Sequence, residues 1–208
     1  MIKFYENLVD LGKIPQIIAE ESCKLMLKSQ LKHPQFIDEA VFLYQAFINL
    51  NFFVKIELIS NIYGFPIYNF SKKINEKLNK FRIDNPKLFP PPAVPTFQSI
   101  SKFSFTILNV KPSNQRNILS FCRCIFRERL KKNEIKSPKK LASFLLETNF
   151  RKKCISIQKM VKNDMFFIVA FSMLVLYKEI GEKLDLQELS ILLSLNYKKL
   201  LKMSKQFL

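Results

Sequence analysis

The chain has 208 residues, 48% of them apolar and 21 of them phenylalanine, which is enough to bury a substantial core and excludes a disordered tail. With 34 Lys and Arg against 17 Asp and Glu, the net charge of +17 far exceeds what solubility requires and points to a polyanionic partner such as DNA, RNA or an anionic membrane face. Only three glycines occur, and Leu, Ile, Phe and Lys recur at helical spacings without alternating runs of strand-forming residues, so an all-α fold is expected.

In chain order the amino-terminal side predicts helices over Phe4 to Leu11, Pro15 to Lys32, Pro34 to about Asn51, Val54 to Tyr63 with a stop at Gly64, and Asn69 to Arg82. In the last of these Phe70, Ile74, Leu78 and Phe81 share one face while Lys73, Lys77 and Lys80 line another. Five of the ten prolines lie between Pro86 and Pro95, where fixed torsions and missing N–H donors forbid a continuous helix, so residues 84–96 read as a linker. This gives a first domain over 1–83 and a second over 97–208.

The second domain predicts helices over Phe97 to Leu108, Ser113 to Lys132, Pro138 to Glu147, Lys153 to Val161, Met165 to Ile180, Leu186 to Leu193 and Tyr197 to Phe207. Ser137 before Pro138, and Asp185 with Glu188 three residues on, are helix-start signals. The apolar run from Met165 to Tyr177 is broken only by Ser172 and is too short to span a bilayer, which takes about 20 apolar residues, so it reads as a buried helix. The amino terminus, MIKFYENLVDLGK, carries acids and no long apolar stretch, so no secretory leader is expected.

Charge is concentrated. Residues 111–163 hold fifteen Lys and Arg against Glu128, Glu134 and Glu147, most of the net positive charge. Arg116, Arg123, Arg127, Lys131 and Lys132 lie on or beside the helix from Ser113; Lys139 and Lys140 follow Pro138; Arg151, Lys152 and Lys153 sit in a turn before a short helix, whose N–H groups add to their pull on phosphate. On the final helix Lys198, Lys199 and Lys202 are the further candidate contacts, with Lys198, Lys202 and Lys205 sharing a face. Such lysines hold phosphates and give salt-sensitive, weakly sequence-specific affinity.

Catalysis and metal binding are not expected. Cys23, Cys122, Cys124 and Cys154 form no CxxC pair and His33 is the one histidine, so a local tetrahedral zinc site is not available and the cysteines read as packed thiols. No phosphate-cradling glycine loop of the GxxxxGK[ST] or GxGxxG kind occurs, and no cofactor is implied.

A long apolar helix followed by two short helices occurs twice. FIDEAVFLYQAFINLN, VKIELISNIYG and YNFSKKINEKLNKF form the first copy; MFFIVAFSMLVLYKEIG, DLQELSILLSL and NYKKLLKMSKQF form the second. With two helices ahead of each trio, the pattern resembles the five-helix cyclin box, and the tandem arrangement resembles the core of the transcription factor IIB family, without that family's zinc ribbon. In this resemblance LDLQELSILLSLNYKKLLKMSKQFL stands where the DNA-reading helix-turn-helix of the second box would be, and SPKKLASFLLETNFRKKCISIQKMVKN is either a basic inserted helix pair or a third helix-turn-helix led by Asn114 to Lys132. The resemblance implies a non-catalytic DNA-binding subunit of a nuclear assembly, either basal-transcription-like or an accessory delivering DNA to a modifying enzyme such as a methyltransferase. The competing reading is a cyclin-like scaffold gripping a protein partner, its lysines merely solvated; a membrane partner is disfavoured because the basic helices show no separate apolar stripe.

Overall fold

The computed structural model describes residues 3–31, 33–127 and 164–207. Among them the chain is all-helical, with no strand: α1 Lys3–Asp10, α2 Gln16–Lys28, α3 Phe36–Asn49, α4 Ile56–Tyr63, α5 Ile67–Asp84, α6 Phe97–Ile107, α7 Pro112–Arg127, α8 Met165–Glu179, α9 Leu186–Leu192 and α10 Tyr197–Phe207. These agree with the sequence-based spans to within a few residues. The expected helices at Pro138 to Glu147 and Lys153 to Val161 lie outside the described residues. Two compact units result, Met1–Leu108 and Asn109–Leu208.

In the first unit α3 is the centre, with Ala40, Val41, Phe42, Leu43, Ala46 and Phe47 all buried. Helices α2, α4 and α5 pack against it. From α5 come Phe70, Ile74, Leu78 and Phe81, the face that the residue spacing predicts. The start of α3 is held by Asp38, 3% exposed, whose Oδ2 accepts from Gln35 N at 2.9 Å while Oδ1 meets Lys77 Nζ at 3.0 Å. Helix α4 stops at Gly64, whose φ of 72° is left-handed. That turn brings Phe65 N to Ser60 O at 3.0 Å and redirects the chain into α5.

The division after Leu108 differs from the junction expected at residues 84–96. Those residues are not helical, as their prolines dictate, but they are not a bare spacer either. Phe89 is fully buried, stacked on Phe81 with centroids 5.0 Å apart and 5.9 Å from Phe42, and Pro90 O accepts from Gln45 Nε2 at 3.0 Å. Beyond them α6 joins the first unit. Phe103 meets Phe47 edge-on at 5.1 Å, Phe53 N donates to Ser99 O at 2.9 Å, and Lys102 donates to Leu50 O at 2.7 Å while lying 4.2 Å from the Phe52 ring centroid. Six helices therefore belong to this unit rather than five.

In the second unit α8 is buried from Phe166 to Leu176. Its start is capped by Asp164, whose Oδ1 accepts from Phe166 N at 2.9 Å. Helix α7 covers one side with Ile118, Phe121, Cys122 and Ile125, and α10 another. Ser172, the one break in the apolar run, is satisfied inside the core: its hydroxyl donates to Ile168 O at 2.8 Å and accepts from the Cys122 thiol at 3.3 Å. Among the described residues no helix is long and apolar enough to cross a membrane.

Candidate nucleic-acid interface

Helices α9 and α10 form a tight pair. Asp185 Oδ1 caps α9 by accepting from Gln187 N at 2.7 Å and Glu188 N at 3.4 Å. The turn is closed by Ser194 in a left-handed conformation, φ 49°, and by Leu195 N donating to Ser190 O at 2.8 Å. Asn196 then starts α10, its Oδ1 accepting from Lys199 N at 3.0 Å. Leu189, Leu193, Leu200 and Met203 seal the inner side of the pair.

That docking fixes what α10 turns outward. Lys198, Lys202 and Lys205 are exposed and, with Leu201, line an open hollow of about 420 Å³. Their spacing of four and three residues puts them on one face, and α10 carries no carboxylate. None of the three forms an ion pair with the described residues. Lys199 is turned differently: it is half-buried, and its Nζ sits 4.3 Å from the Phe167 ring centroid, which ties it to α8.

Helix α7 presents a second basic face. Arg116 and Arg123 are exposed seven residues apart, two turns along the same side, opposite buried Ile118, Phe121 and Ile125. Arg127 is the last described residue of α7. Lys131, Lys132, Lys139, Lys140, Arg151, Lys152 and Lys153 lie outside the described residues, and with them most of the basic maximum. The unit's acids include Glu179, Glu182, Asp185 and Glu188, at the α8–α9 end; there burial, followed by Glu182 and Glu188, pushes the Tyr177 phenol up.

Sequence reading placed Lys205 on the shared face without naming it as a contact; the hollow makes it a full member of the row. It also missed the exposed aromatic pair of the first unit, Phe36 and Phe65, because spacing alone does not separate a half-exposed ring from a core ring. Among the described residues no three His, Cys, Asp or Glu side chains converge as a metal site would need, and Cys23 and Cys122 are buried. No protein-family model, curated protein or solved structure matches this chain.

Proposed function

We propose that this chain is a non-catalytic DNA-binding subunit of a nuclear assembly, with tandem cyclin-like repeats as its frame and α10 as the helix laid against the duplex. The observation that carries the reading is the row of Lys198, Lys202 and Lys205, exposed on the second helix of a helix-turn-helix pair whose inner side is sealed. Three cations on one face, at a helix pitch of about 5.4 Å per turn, suit the anionic backbone that borders a DNA groove. The arginines of α7 and the lysines and arginines between 128 and 163 add charge of the same sign.

The cyclin-like frame draws support from the order of elements. In each unit a largely buried helix, α3 or α8, precedes a helix pair, α4–α5 or α9–α10. The membership of α6 in the first unit departs from a strict five-plus-five partition. An accessory role to transcription machinery or to a DNA-modifying enzyme fits the lysine row of α10, since lysines hold phosphates without selecting a sequence.

Duplex binding followed against salt tests this directly. Each phosphate contact contributes about 0.9 to the slope of log affinity against log salt, so the Lys198→Gln/Lys202→Gln/Lys205→Gln variant should lose roughly 2 to 3 from that slope, alike for unrelated sequences. An unchanged slope would remove α10 as the contact. Absence of duplex binding even at low salt would remove the DNA reading and leave a protein-binding scaffold.

A further inference from the structure

The first unit carries a surface that the α9–α10 pair does not account for. Phe36 opens α3 and Phe65 follows the Gly64 turn, and their rings meet edge to face with centroids 5.1 Å apart. They are 43% and 44% exposed. Both rest on Phe70, at 6.0 and 5.1 Å, and Phe36 also on Tyr63 at 4.8 Å, so the pair is braced from the core side while its outer surface stays in water. Rings held half in water forgo burial energy that a folded chain ordinarily gains, which marks them as a contact surface.

Lysines stand beside this shelf. Gln35 and Ile37, the residues flanking Phe36, line an open hollow of about 490 Å³ with Lys73, Glu76, Lys77 and Lys80 of α5. Lys73 and Lys80 are exposed; Lys77 is engaged by buried Asp38 at 3.0 Å, and Glu76 lies 3.8 Å from Lys72. Four lysines against two carboxylates leave the rim net positive. The Gln35 N–H at the start of α3 is already taken by Asp38, so the cationic character comes from side chains and not from the helix end.

We infer that this surface binds a single strand of nucleic acid, with phosphates along Lys73 and Lys80 and an unpaired base laid on the Phe36–Phe65 shelf. Flat apolar rings next to spaced cations match the alternation of base and phosphate along a strand. A duplex hides the faces of its bases in its own stack, so the shelf favours the single strand over the duplex. The site is separate from the α10 row and does not depend on it.

The test uses the full chain, a fluorescently labelled oligothymidylate and two unlabelled competitors of equal length, oligothymidylate and a strand of the same phosphodiester backbone lacking all bases. The base-free strand should compete roughly five- to a hundredfold more weakly, the range set by stacking of one base. Phe36→Leu/Phe65→Leu keeps the apolar bulk that packs on Phe70 and should erase that preference; Phe65→Leu alone serves if circular dichroism shows the double variant losing helix. Lys73→Gln/Lys80→Gln should weaken both strands and leave the preference standing. Lys198→Gln/Lys202→Gln/Lys205→Gln should leave it standing as well, so failure of the duplex reading and failure of this one are told apart. Equal competition by the two strands, absence of oligothymidylate binding, a preference that survives the leucine variants, or affinity unmoved by the α5 glutamines would each overturn the inference.

Discussion

Replacing Phe103 with alanine probes whether α6 is a working part of the first unit. The ring is 1% exposed and lies edge-on to Phe47 at 5.1 Å and to Phe52 at 6.5 Å, both at 83°. Truncation removes the burial of one aromatic side chain, about 2 to 3 kcal/mol, and two ring contacts, and it opens a cavity between α3 and α6. Together these place the loss within the roughly 3 to 5 kcal/mol usual for Phe→Ala in a core. Amide hydrogen exchange of the full chain, read helix by helix, should show α3 exchanging about two to four orders of magnitude faster, since its slowest amides open only when the unit does. If exchange quickened in α8 more than in α3, or if α3 gained less than about tenfold, α6 would not be part of the first unit's core and the argument would be wrong.

The buried Asp38 makes the next prediction. Lys77→Met strands its carboxylate and should cost about 3 kcal/mol, whereas Asp38→Asn keeps the shape and lets Lys77, 34% exposed, turn to solvent for about 1 kcal/mol; urea midpoints would give the order, and the reverse order would refute it. Burial, then neighbouring Asp38, raises the Glu39 carboxyl above its ordinary range, so the folded state holds that proton more tightly than the unfolded one. Its contribution is therefore most favourable below the ordinary carboxylate range and fades as pH rises through the raised value; Glu39→Gln should gain on the parent as pH rises through that interval, and a gap independent of pH would contradict this. Gly64→Ala places a side chain at φ 72° with nothing within 4 Å of the new Cβ, so thermal unfolding should show a purely backbone cost of about 1 kcal/mol.

Much of the fold was legible because α3 and α8 are mostly apolar along their length and α5 shows a clean division between Phe70, Ile74, Leu78 and Phe81 and its lysines. Helix starts were legible where a side chain does the capping, as at Asp185. What spacing could not give was partnership. A run of prolines forbids a helix but says nothing of where Phe89 goes, and Phe89 in the Phe42–Phe81 pocket fastens the segment that leads to α6. The lysine row of α10 was legible as a face that leaves Lys199 out; that Lys199 lies over Phe167, thirty-two residues away in sequence, was not, because no local pattern encodes that contact.

The enclosure of α8 also bears on how the protein is made. Phe166 to Leu176 emerges from the ribosome before α9 and α10, and α10 is one of the helices that cover it. For that interval a greasy rod of Phe, Ile, Val and Leu stands without its lid, a natural client for a holdase and a seed for precipitation when synthesis outruns completion. Chains halted after Glu179 should collect as insoluble material, while chains that finish α10 shelter the rod within themselves.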